Sequence, residues 1–222
     1  MLQAPSNLSA PKPSAGQLSL EKRGSAVSDD TQNIERLIRA WALWRDTRQW
    51  DLLRTCYWPG ARVRTTWMEG TAEEFIEASI RSASNPNAPL AQHALGGTIV
   101  KVNGDRALAE TRMTLLLRAQ VDGVEVDITA WGRFIDRLVC AQGEWRIVQR
   151  DPIHEKDRLD PVDPQASLKL DSSRLATLPR AYRHIAYVQS QGGARITPDL
   201  IEHNSTAQQA LYEACTTWLN RR

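Results

Sequence analysis

Two residues stand in contexts that suit acid–base chemistry. His93 opens an extended segment, between the loop-like Asn85-Pro86-Asn87-Ala88-Pro89 and Ala94-Leu95-Gly96-Gly97-Thr98. A neutral imidazole can take a proton near pH 7, and the paired glycines leave room for a bulge or a closely approaching ligand. Asp46 ends a helical stretch between Arg45 and Arg48. There it is either a solvated acid in an Arg-Asp-Thr-Arg run or a functional carboxylate. A third group, Asp151, His154, Glu155 and Asp157, has ligand-type side chains. Its position after the last alternating segment reads as a solvated polar turn.

Other chemistries lack their residues. The sequence has no GxxxxGK(S/T), GxGxxG, CxxC, HExxH or GxSxG pattern, which removes the usual nucleotide, zincin and hydrolase-elbow readings. Cys56, Cys140 and Cys215 are far apart and odd in number, against a disulfide framework or a zinc site. No metal and no cofactor is expected. The 222 residues carry 28 basic and 26 acidic side chains, a net charge of +2. That balance gives no electrostatic reason for a nucleic-acid or anionic-membrane partner. No run approaches the roughly 18 apolar residues of a membrane span, and the N-terminus lacks a signal-peptide layout. The expectation is a cytoplasmic domain.

The elements that must position these residues follow from periodicity. Residues 1–27, rich in Ala, Ser, Pro and Gly, read as a flexible tail. Ser28-Asp29-Asp30 then offers caps for a helix whose one face is Ile34, Leu37, Ile38, Trp41 and Trp44, ending near Asp46. A short helix over 51–56 stops at Trp58-Pro59-Gly60. Alternation over 61–67 predicts a strand, and 71–80 another helix. Strands near 93–102, 105–120, 124–139 and 144–150 are joined by Asn103-Gly104, Asp122-Gly123 and Gln142-Gly143. Helices first and a meander last give an α+β domain over 28–160. Residues 161–222 form an extension with short helices near 179–190 and 205–220. The apolar stripe of the second, through Leu211, Cys215 and Trp218, must cover this domain or a partner subunit.

Several segments together resemble the SnoaL-like families of the nuclear transport factor 2-like superfamily. They are Ala42-Leu43-Trp44-Arg45-Asp46, Trp50-Asp51-Leu52-Leu53, Tyr57-Trp58-Pro59-Gly60-Ala61-Arg62-Val63, Gly70-Thr71-Ala72-Glu73-Glu74-Phe75, Gln92 to Thr98, Gly132 to Arg137, and Gly143 to Ile147. The resemblance spans about residues 29–160. It implies a cone: a strongly curved antiparallel sheet wrapped over helices, with an enclosed apolar pocket.

Members such as scytalone dehydratase and hexachlorocyclohexane dehydrochlorinase pair an Asp at the end of the first helix with a His at the start of a sheet strand. Asp46 and His93, 47 residues apart, match those positions. The chemistry accounts for the pair, since a carboxylate both orients the imidazole and stabilises its growing charge. Arg133, in a Gly-Arg-aromatic pattern, is either a ligand for a departing anion or an ion pair with Asp136 or another strand acid. Trp131, Tyr57, Trp67 and His154 are candidate pocket walls. The resemblance implies a small-molecule substrate and a homo-oligomer, dimer or trimer. Its leading reading is a lyase of the dehydratase type. The alternatives are an isomerase or cyclase of a polyketide- or steroid-like substrate, and a non-catalytic binding domain. Epoxide hydrolysis would instead need two acids about an Arg, with Asp127, Arg133 and Asp46 as its residues.

Overall fold

The computed structural model describes residues 15–86 and 88–221, with side chains from residue 29 onward. In chain order the elements are α1 (Ala15–Asp46), α2 (Trp50–Thr55), β1 (Tyr57–Arg64), β2 (Glu69–Thr71), α3 (Ala72–Ala83), β3 (Leu90–Asn103), β4 (Arg106–Val121), β5 (Val124–Ala141) and β6 (Glu144–Pro161). The C-terminal part adds α4 (Ser172–Ala176), a 3-10 turn at Arg180–Tyr182, α5 (Arg183–Gln191), β7 (Ile201–Glu202) and α6 (Thr206–Leu219). One sheet runs β2-β1-β6-β5-β4-β3, with β7 added beside β6. All pairs are antiparallel except β1–β6 and β6–β7. The fold is the cone-shaped α+β class expected from the sequence.

Local chemistry explains most boundaries. The hairpins turn where Asp122-Gly123 and Gln142-Gly143 both take positive φ, the geometry that matches the twist of the flanking strands. Helix α3 starts with a reciprocal capping box between Thr71 and Glu74. Helix α6 is capped by Ser205, which accepts from the Gln208 main-chain N–H. At the end of α1, Arg48 adopts the left-handed conformation (φ 61°) that stops a helix.

Three expectations need correction. Helix α1 begins at Ala15, thirteen residues before Ser28, so part of the expected flexible tail is helical. Gln17, Leu18, Leu20, Glu21, Lys22 and Arg23 are good helix formers, which outweigh the scattered small residues. The rest of that tail, residues 1–14, lies outside the described residues. Strand β1 begins at Tyr57 and runs through Pro59-Gly60, which therefore do not end the preceding segment. Strand β6 runs to Pro161, eleven residues past its expected end, so Asp151, His154, Glu155 and Asp157 are strand residues. Asp151 and His154 are buried.

Strand alternation divides the packing. Phe134 and Leu138 of β5 and Ala107, Ala109 and Met113 of β4 face the concave side, against Ile34, Ile38 and Trp41 of α1 and Phe75 and Ile76 of α3. Further along that side, Val126 and Ile128 pack under Tyr182, Ile185 and Ala186 of the extension. Ile135 and Ile153 face the opposite side and are covered by Leu211 and Cys215 of α6. Helices α5 and α6 of the extension thus cover opposite faces of the sheet.

Candidate active site

Between the α1/α3 core and the α5 cluster lies a cavity of about 120 Å³, close to the ~150 Å³ that accepts one benzene ring. His93 reaches it from β3, and α1 delivers Asp46 beside that strand. The Asp46 carboxylate accepts twice from one residue: Oδ2 from the His93 main-chain N–H and Oδ1 from Nδ1, each at 2.6 Å. Both side chains are largely buried. The main-chain bond fixes the carboxylate against the strand, and the ring bond fixes the tautomer with its proton on Nδ1. The other ring nitrogen, Nε2, is left for a ligand. The imidazole stands edge-on to Trp41, with ring centroids 5.3 Å apart. Burial lowers the His93 pKa, opposed by the hydrogen bond and charge of Asp46. The paired glycines beside it lie in a bulge, where the β3–β4 register shifts between Leu95 and Thr98.

A buried cation of the cavity comes from the end of the strand expected over 144–150, a residue to which the sequence reading gave no role. Arg150 is 2% exposed and donates Nε and Nη2 to the two oxygens of Asp136 at 2.7 Å each. Its guanidinium lies 4.0 Å from the Trp41 ring centroid and 4.3 Å from that of Phe134. Burial works against its charge, but the charge and hydrogen bonds of Asp136 outweigh it, so its pKa is raised. Its remaining nitrogen, Nη1, is buried with no partner among the described residues, in a side chain that lines the cavity. Arg45 and Arg64 also line it, and no Asp or Glu does among the described residues. A ligand oxygen that gains negative charge is the natural complement of such a wall.

Of the candidate pocket walls, Trp67, Trp131 and His154 border the cavity. Two expected residues do not. Tyr57 is core, with its hydroxyl accepting from the Trp41 indole N–H at 2.7 Å, so it supports a wall from behind. Arg133 lies on the opposite face, paired with Glu110 and Glu155. Of its two readings, the ion pair with another strand acid is the one seen, and Asp136 belongs to Arg150. The epoxide-hydrolase trio is not assembled either, because Asp127 is paired with Arg118 in an exposed bidentate contact at 2.7 and 2.8 Å. No group of three or more His, Cys, Asp or Glu among the described residues could hold a metal ion. No helix there is long and apolar enough to cross a membrane.

With this geometry in place, comparison with known proteins identifies the family. Residues 26–151 match the SnoaL-like domain. The chain belongs to the SnoaL-like family. This SnoaL-like chain is 30% identical over 199 residues to pea pathogenicity protein 2 of Fusarium vanettenii, covering 84% of each. It is 28% identical over 197 residues to a PEP2-like protein of the same organism, again covering 84% of each. Both similarities reach well beyond the family domain into the C-terminal extension. The solved structure of a candidate scytalone dehydratase from Novosphingobium aromaticivorans shares the fold, with a TM-score of 0.52 at 12% identity, covering 66% of this chain and 99% of that one. SnoaL-like membership, within the nuclear transport factor 2-like superfamily, makes this a domain of the kind that binds or converts small molecules.

Proposed function

We propose that this protein is a lyase of the dehydratase type, acting on a small, largely apolar organic molecule. The observation that carries the reading is the double acceptance by Asp46 from the His93 ring and main chain, at a cavity wall that also holds an unpartnered arginine nitrogen. Nε2 of His93 takes a proton from a carbon next to a carbonyl, and Asp46 stabilises the imidazolium. The electron pair left on carbon is delocalised onto the carbonyl oxygen, which Nη1 of Arg150 holds. The C–O bond to the neighbouring carbon then breaks as the new C=C bond forms. The departing hydroxyl takes the proton back from His93, so substrate gives an enone and water.

The test uses the full chain with a panel of one- and two-ring β-hydroxy ketones. Enone absorbance follows elimination, and deuterium uptake at the α-carbon in D2O follows proton abstraction alone. Wild type should do both. His93→Ala should abolish both, and His93→Gln should not rescue, because an amide cannot accept the proton. Asp46→Asn should lower the rate by roughly 10²–10⁴-fold. Exchange without elimination would move the reading to an isomerase or cyclase. Turnover that survives His93→Ala at the wild-type rate would sink the mechanism.

A further inference from the structure

The cavity is built from two parts of the chain. His93 and Arg150 lie within the matched family region, whereas Pro152, His154, Ile185 and Gln189 follow it. Strands β3 and β6 are separated by β4 and β5, three strand spacings or about 14 Å along the sheet. His93 and His154 therefore reach the one cavity from strands well separated in the sheet.

His154 is 8% exposed, and its Nε2 is buried with no hydrogen-bond partner among the described residues. Its ring is held by Tyr182, with centroids 4.7 Å apart. The wall behind it is fixed as well. The Asp157 carboxylate accepts from the main-chain N–H groups of His184 at 2.6 Å and Ile185 at 2.9 Å, and from His184 Nδ1 at 2.9 Å, which ties the start of α5 to β6. Thr66 donates its hydroxyl to Gln189 Oε1 at 2.6 Å, which ties the far end of α5 to the segment after β1. A buried polar atom without a partner is costly, and few are kept without a use. Burial pushes the His154 pKa down to about 4, so near neutral pH the ring is uncharged. It offers a hydrogen bond and no charge. That suits a hydroxyl or carbonyl group and gives nothing extra to a carboxylate or phosphate.

From this geometry we propose that His154 is a specificity-determining residue whose Nε2 hydrogen-bonds a hydroxyl or carbonyl group on the substrate edge remote from His93. The protein then selects compact ring compounds with oxygen functions on two opposite edges. This rests on reading the cavity as a substrate site, but not on which reaction follows there.

Two one-ring probes test it, acetophenone with one oxygen function and 4-hydroxyacetophenone with two, titrated calorimetrically into the full-length protein. Wild type should bind the second about fivefold more tightly, the size of one neutral hydrogen bond. His154→Leu should erase that preference and leave acetophenone affinity within about twofold, while His154→Gln should restore part of it. The preference should persist in His93→Ala, so loss of catalysis and loss of recognition are separable. A second readout needs no ligand. If Nε2 has no structural partner, His154→Leu should leave the melting temperature unchanged or raise it. Absence of the preference in wild type, its survival in His154→Leu, or a clear fall in that variant's melting temperature would each overturn the proposal.

Discussion

Arg150 donates two hydrogen bonds to Asp136, and its third nitrogen, Nη1, has no partner among the described residues. Asp136 is fully buried, so neither charge is solvated and each depends on the other. The pairing also aims the guanidinium, because a bidentate contact fixes its plane against Trp41 and Phe134. The same contact therefore stabilises a buried cation and holds Nη1 in a fixed place, in a side chain that lines the cavity.

The first prediction concerns this pair. Breaking a buried ion pair from one side leaves an uncompensated charge, at a cost of about 3–5 kcal/mol. Asp136→Leu and Arg150→Met should each lose that much in urea denaturation. The double variant should recover most of it, since removing both charges removes the penalty. Additive losses would show that the two residues do not act as a unit.

The second concerns the pH dependence of turnover. The base must be neutral, and burial holds the His93 pKa below its ordinary value against the pull of Asp46. Activity should therefore rise with pH through a midpoint below about pH 6.5. Asp46→Asn removes the contribution that raises this pKa. Its profile should shift toward acid while its plateau falls, and the kcat/KM profile of both proteins checks this. A shift toward alkaline pH would contradict the geometry.

How much of this was legible in the sequence depended on how local the signal was. The apolar face of α1, the capping of α6 and the Gly turns of the meander are set by neighbours within a few residues, and each was readable. The part of β6 beyond Arg150 was not, because Pro152 and His154 are inward residues there and disguise the alternation that marks a half-buried strand. Arg133 and Arg150 look alike until a partner on another strand is known. One available signal went unused: alternation puts Arg133 and Asp136 on opposite faces of β5, which argues against their pairing. Asp46 and His93 became a pair only through family resemblance, since α1 and β3 are joined by no local rule.

The third prediction concerns α6. Leu211 and Cys215 bury Ile135 and Ile153, and Trp218 lies beside the guanidinium groups of Arg106 and Arg137 at 5.4 and 6.0 Å. Leu211→Ala should cost about 2–5 kcal/mol through lost burial and the cavity it leaves. Deleting residues 203–222 should lower the melting temperature further, because it exposes the outer sheet face. A melting curve unchanged by both would make α6 an appendage.

The fourth concerns Gly132, opposite His154 in the β5–β6 register and next to its shift between Trp131 and Gly132. A Cβ at this position would collide with the Ile153 carbonyl oxygen, which belongs to the backbone and cannot swing aside. Gly132→Ala should push the strands apart and destabilise the protein by roughly 1–3 kcal/mol, comparable to other overpacking changes. It should also displace His154, so binding of 4-hydroxyacetophenone should weaken more than binding of acetophenone. Equal weakening of the two probes would show that the bulge supports the sheet but not the recognition of the second oxygen.

The last prediction links His154 to acid stability. Its folded pKa of about 4 lies below the ordinary value of 6.5, so between those values the unfolded chain binds a proton that the folded chain refuses. Stability must then fall as pH drops through this window, and it is fully retained above pH 6.5. A difference of about 2.5 pH units corresponds to roughly 3 kcal/mol lost by pH 4. His154→Leu has no such group, so its stability should decline less over the same range, by about that amount. Urea denaturation of both proteins at pH 7 and pH 4 measures the difference. Parallel losses in the two proteins would mean that the ring is protonated in the folded state, and the cavity wall would then carry a charge that the hydroxyl-reading role does not allow.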